Sequence, residues 1–203
     1  MTRADTFRPG RSGPAPTTPR DPAEVVTELH DLLAAADVPG PYVLVGHSLG
    51  GALDVLYART YPDEVAALVL VDAALPQQRD ALGADAWEQM QHLRNETVIP
   101  GYDIEAYDLG TLFDETDAAG PLPDIPVIVV RRGGPAMEER LPDDQPFTAA
   151  ELEVMTAGWD SQVQWAAGVP GAQVITVDGT THYVPLQRPD AVVDAIRDAI
   201  ARA

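Results

Sequence analysis

Ser48 stands in the run Gly46-His47-Ser48-Leu49-Gly50, after a short apolar stretch (Tyr42-Val43-Leu44-Val45) and before an apolar helical pattern through Leu53, Leu56 and Tyr57. A serine set between glycines where a strand turns into a helix has the sequence context of a nucleophile. The turn must be so tight that its flanks accept only residues without a side chain, a role read here for Gly46 and Gly50. It lifts the hydroxyl clear of the sheet, at a helix N-terminus where negative charge is favoured. The chemistry would be acyl transfer, which needs a hydroxyl, a base within hydrogen-bond reach and a carboxylate that orients the base. The chain has four histidines. His47 adjoins the serine, but its side chain points away from the hydroxyl, which suits packing or an entrance lining. His30 falls on the polar face of a helical pattern and His92 in an acidic, mixed segment, and neither has metal-ligand spacing.

The elements that must position these groups follow in order. Residues 1–20 are rich in Pro, Gly, Arg and Thr and read as a loop. Asp21-Pro22-Ala23-Glu24 predicts a capped helix start, and Val25, Val26, Leu29, Leu32 and Leu33 continue it with helical period. The Tyr42 run is a strand buried on both faces, and Val65 to Val71 is a second, ending at Asp72. Residues 75–123 turn acidic and mixed, with one helix expected from Asp85 to Asn95 bearing Trp87, Met90 and Leu93. This segment reads as an inserted helical lid. Ile125 to Val130 is a third strand, running into Arg131-Arg132-Gly133-Gly134. Thr148 and Glu151 cap a helix with Leu152, Met155, Trp159 and Val163 on one face. Val174 to Val177 is the fourth strand, and Pro189 opens a last helix expected to turn Val192, Val193, Ile196 and Ile200 inward. Strands alternating with helices imply a single α/β domain over 1–203, a parallel sheet flanked by helices.

Composition narrows the partners. The 203 residues carry a formal charge of −19, which repels nucleic acid and anionic membranes. All 13 basic residues are arginine, and there is no cysteine, so disulfides, thiolate metal sites and a cysteine nucleophile are excluded. No phosphate-binding glycine loop, nucleotide fingerprint or metal cluster appears, so no cofactor is expected. The first residues lack the apolar core of a signal peptide, and no apolar run reaches membrane-spanning length. A cytoplasmic location is the expectation.

The sequence of strand, GHSLG and helix, then ALVLVDA, PVIVV and VITVDGTTHYVPLQRPDAVVDAI, resembles the C-terminal two-thirds of an α/β-hydrolase. Arg3-Ala4-Asp5 through Arg11-Ser12-Gly13 resembles the loop that follows the family's fourth strand. The resemblance implies a serine hydrolase acting on a small-molecule ester or related acyl compound. It implies Ser48 as nucleophile, His182 as base (after the last strand, before a Pro-initiated helix), and the Leu49 amide as one oxyanion donor. For the acid it leaves several carboxylates. Asp72 ends the strand beside the elbow strand, a position some members use, whereas Glu138, Glu139 and Asp143 lie just past the more usual position, where this chain reads Arg131-Arg132-Gly133-Gly134. The family's first three strands have no counterpart here, nor does the loop that carries its other oxyanion donor, and losing one such donor costs about 10²–10³ in kcat. The resemblance therefore carries two further expectations. One is a rival reading, a catalytically impaired fragment or a binding protein on the same scaffold. The other is self-association through an exposed sheet edge. Arg131 and Arg132 are expected to pair with local carboxylates, and Trp87, Trp159 and Trp165 to pack in core or lid.

Overall fold

A computed structural model describes residues 20–96, 108–133 and 149–203, with 89–96 and 149–155 described as helical backbone only. Four parallel strands form one sheet in the order β1 (Tyr42–His47), β2 (Val65–Val71), β3 (Val127–Arg132), β4 (Gln173–Val177). Alternation along β2 explains why its seven residues are all apolar. Leu68 and Leu70 point to one side, while Ala67, Val69 and Val71 point to the other, and both sides are covered. The registers Gly46↔Leu70, His47↔Val71, Val71↔Val130 and Arg132↔Val177 bring the C-terminal ends of all four strands to one rim. In open parallel sheets this rim is where ligands bind.

One face is packed by α1 (Pro22–Ala35), α2 (Leu49–Thr60) and α4 (Leu109–Ala118). The Asp21 carboxylate caps α1 as expected, accepting from the amides of Ala23 at 2.9 Å and Glu24 at 3.2 Å. α2 buries Val55, Leu56, Tyr57 and Ala58, each worth about 1–3 kcal/mol according to size. The opposite face is covered by α7 (Pro189–Arg202), and here the expected inward set changes. Val192, Ala195 and Ala199 are buried, whereas Val193 is 41% and Ile200 58% exposed. The sheet face beneath already carries Val69, Val71, Ile128 and Val130, so the helix approaches it with its small residues. Apolar character alone did not identify the inward stripe.

The segment 75–123 holds two helices with different surroundings. α3 (Gln77–Glu96) covers the stretch where a helix was expected and starts earlier; Gly83, at φ 71° and ψ 169°, breaks it into two pieces. α4 sits in the core, with Leu109, Leu112 and Phe113 buried and Asp108 capping its first turn through the Thr111 amide at 3.0 Å. Trp87 joins the two helices, its ring 5.4 Å from that of Phe113. α5 (Ala149–Ala167) buries Trp159 and Trp165, while Val163 stays 39% exposed. Thr148, its expected cap, lies outside the described residues. No helix among the described residues is long and apolar enough to cross a membrane.

Candidate active site

Ser48 sits between β1 and α2 with φ 56° and ψ −122°, a conformation that costs a non-glycine residue about 1–3 kcal/mol. Neighbouring backbone holds it there. Its amide donates to the Val71 carbonyl at 3.0 Å, and its carbonyl accepts from the Gly51 and Ala74 amides, each at 3.1 Å. The glycine requirement falls on Gly46 and Gly51. A Cβ on Gly46 would lie 2.5 Å from the backbone of Gly50 and Gly51 and from Asp54 Oδ2, and one on Gly51 would strike the Ala73 side chain. Gly50, expected to need a bare backbone, has nothing within 4 Å of such a Cβ. The tight spot lies one residue further into α2, where the helix passes beside the chain leaving β2. Leu49 is the first residue of α2, so its amide has no acceptor within the helix.

Asp72 follows β2 in a second left-handed turn, at φ 41°, with its amide bonded to the Val130 carbonyl at 2.8 Å. Its carboxylate is buried and well partnered. Oδ2 accepts from His182 Nδ1 at 2.7 Å, and Oδ1 accepts from Gln162 Nε2 of α5 at 3.0 Å. Arg132 Nε lies 3.3 Å from Oδ2, an ion pair rather than an aligned hydrogen bond. Burial pushes the Asp72 carboxyl upward, but the His182 bond, the Arg132 charge and the Gln162 amide together hold it below the usual carboxylate range. Because Nδ1 faces a carboxylate it carries the proton, which leaves Nε2 as the basic nitrogen.

His182 lies in the loop between β4 and α6 (Val184–Gln187), 135 residues after His47, and the two rings are 4.4 Å apart. His47 Nε2 donates to the His182 carbonyl at 2.7 Å. Burial lowers the His47 pKa, so the ring is neutral near pH 7 and serves as a clamp on the His182 loop. Thr181 steadies the same loop, with its amide bonded to the Gln187 side chain at 2.7 Å.

Ser48, Asp72 and His182 line one cleft of about 120 Å³, together with Arg132, Trp159 and Gln162. Of the sequence candidates, the fold thus gathers Ser48, Asp72 and His182, with Leu49 next to Ser48 in the chain, whereas Glu138, Glu139 and Asp143 lie outside the described residues. Arg131 pairs with Asp160 at 3.1 Å, and Arg132 with Asp72, as expected of arginines with local carboxylates. His30, on α1, is held by Glu64 at 3.1 Å and does not line this cleft. Gln162 was not foreseen, because its one polar contact depends on how α5 crosses the rim, which no local pattern encodes.

Similarity to known proteins agrees with the fold. The chain is 27% identical over 195 residues to the esterase PIR7B of Oryza sativa subsp. japonica, spanning 83% of this chain and 73% of that protein. A shorter stretch of 67 residues is 45% identical to a (lyso)-N-acylphosphatidylethanolamine lipase of Bos taurus, 31% of this chain and 19% of that one. Among solved structures, the monoacylglycerol lipase of Paleococcus ferrophilus superposes with a TM-score of 0.59 at 12% identity, over 96% of this chain and 79% of that one. A thermophilic esterase from Thermogutta terrifontis gives 0.58 at 19%, over 95% and 76%. Residues 7–195 match the alpha/beta hydrolase family, and the chain belongs to that family.

Proposed function

We propose that this α/β-hydrolase cleaves a carboxylic ester or related acyl compound by a serine mechanism. Ser48 Oγ attacks the carbonyl carbon while His182 Nε2 takes its proton. Asp72 holds the imidazole in the Nδ1–H tautomer and balances the imidazolium that forms. The Leu49 amide, at the N-terminus of α2, stabilises the oxyanion. Collapse expels the alcohol, which receives the proton from His182, and water then releases the acyl group by the same steps. No cofactor is required. The observation that carries this reading is the 2.7 Å Asp72–His182 bond at the cleft that the strained Ser48 also lines. The esterase and lipase names of the relatives agree with an ester substrate.

Within this reading, the segment 75–123 shapes the substrate side of the cleft. Gln78 of α3 and Leu109 of α4 both line it, together with Trp159 of α5. The sheet edge supports a second proposal. Among the described residues β1 is hydrogen-bonded on the β2 side only, and its Val45 is 41% exposed, so copies of the chain pair through this edge. Light scattering tests that directly, and a monomer at high concentration would rule it out. For the hydrolase itself, a fluorophosphonate probe is expected to label Ser48 in the folded protein and to spare Ser48→Ala. Failure to label Ser48 would remove the reading.

A further inference from the structure

β3 ends in two consecutive arginines whose side chains leave on opposite sides. Arg131 reaches the exposed carboxylate of Asp160 and the Thr176 hydroxyl. Arg132 turns into the cleft, where it is 7% exposed and its guanidinium carbon lies 3.9 Å from the centre of the Trp159 ring. The guanidinium lies over the indole ring, and its Nε faces Asp72 Oδ2. That oxygen is also the acceptor for His182 Nδ1. One carboxylate oxygen is therefore shared between a permanent cation and the imidazole, while Gln162 occupies the other.

This sharing has an electrostatic consequence. A lone buried Asp–His pair holds a negative charge, which strengthens the hold of the imidazole on a second proton. A guanidinium beside the same oxygen offsets part of that charge, so removing it should tighten that hold. We infer that Arg132 is a positioning residue that acts through Asp72, orienting the carboxylate and setting the lower edge of the pH range in which His182 can accept the serine proton. The inference rests on the hydrolase reading for its catalytic meaning, but the effect on His182 does not need turnover to be seen. Among the described residues, the other titratable groups facing the pair include His47 from β1, which the lowered pKa keeps neutral, and Tyr183, whose ring centre is 5.9 Å from that of His182. Asp160 is engaged by Arg131.

The test uses the full chain with Arg132→Met and Arg132→Lys. Met keeps the apolar stem over Trp159 and removes the charge, whereas Lys restores a charge without the planar stack. Nitrogen-15 NMR follows the His182 imidazole through a pH titration, and the rate of fluorophosphonate labelling at Ser48 is followed over the same range. In Arg132→Met both the His182 midpoint and the acid limb of labelling are expected to rise by about one pH unit, with most of the change reversed in Arg132→Lys. An unmoved midpoint in a folded Arg132→Met overturns the inference. If that variant does not fold, Arg132→Gln stands in, with the same rise expected and the same null result decisive. A midpoint that rises while Ser48 of the parent protein never labels upholds the electrostatic role and removes the hydrolase reading. Labelling with an unmoved midpoint does the reverse.

Discussion

Two buried carboxylates flank the elbow, and their surroundings set them to opposite charge states. Asp72 is met by an imidazole, an amide and a guanidinium, and stays ionised below the ordinary range despite its burial. Asp54, one and a half turns into α2, presses its Oδ2 against Gly46, and that oxygen is buried without a hydrogen-bond partner. Burial alone pushes its carboxyl up to about 8. The contrast teaches that depth in the protein does not decide whether a carboxylate is charged. What decides it is whether donors stand within reach to replace the lost water.

Substitutions can break this contrast at either end. The largest effect is expected from Asp72→Asn, which keeps the shape but allows the wrong imidazole tautomer and should lower kcat on a p-nitrophenyl ester about 10⁴-fold. Near-normal turnover in that variant would pass the acid role to Glu138, Glu139 or Asp143. Gly46→Ala places a methyl group against Asp54 Oδ2 and the Gly50–Gly51 backbone, and should destabilise the fold by about 2–3 kcal/mol in urea. Gly50→Ala, facing open space, should cost nothing measurable; equal losses for the two would remove the packing account. Gln162→Leu takes one donor from Asp72 and should lower kcat about tenfold with KM little changed. Asp54→Asn should leave turnover within about twofold.

The last variant carries its signal in pH. A carboxyl whose folded pKa is raised disfavours folding increasingly as pH climbs from the ordinary carboxylate value towards about 8. Asp54→Asn should therefore raise Tm by a few degrees at pH 8 and leave it unchanged at pH 4. A Tm difference that is the same at both pH values would sink this assignment. Asp72 contributes with the opposite sign. Its stabilisation is complete above the ordinary carboxylate range and is lost as pH falls through its lowered folded value.

Much of this architecture was legible in the sequence, for reasons that can be located. The central strands were plain because a parallel strand covered on both faces leaves an unbroken apolar run, as Val65–Val71 does. The tight turn that holds Ser48 between β1 and α2 was plain because a strand, a glycine-flanked turn and a helix are all local features. Two kinds of feature were harder to read. Where several apolar residues share a helix, the inward set depends on the surface opposite, so Ala195 and Ala199 of α7 replaced Val193 and Ile200. The pattern Leu109, Leu112, Phe113, Thr116 does carry helical spacing, but that this stripe is buried in the core depends on the elements packed against it, which the acidic residues around it do not reveal. The partners of Asp72 come from three elements separated by up to 110 residues, and no window of sequence contains them.

The backbone ties between the two left-handed turns have a practical consequence. Ser48 and Asp72 hang from loops laced together by main-chain amides: Ser48 to Val71, Ala74 to Ser48, Asp72 to Val130. None of these bonds involves the side chain at either position. The lacing works like a jig that grips the handles and leaves the tool tips interchangeable. A Ser48→Ala protein should thus keep an undeformed cleft, which makes it the natural bait for capturing an intact substrate from a pool of candidate esters.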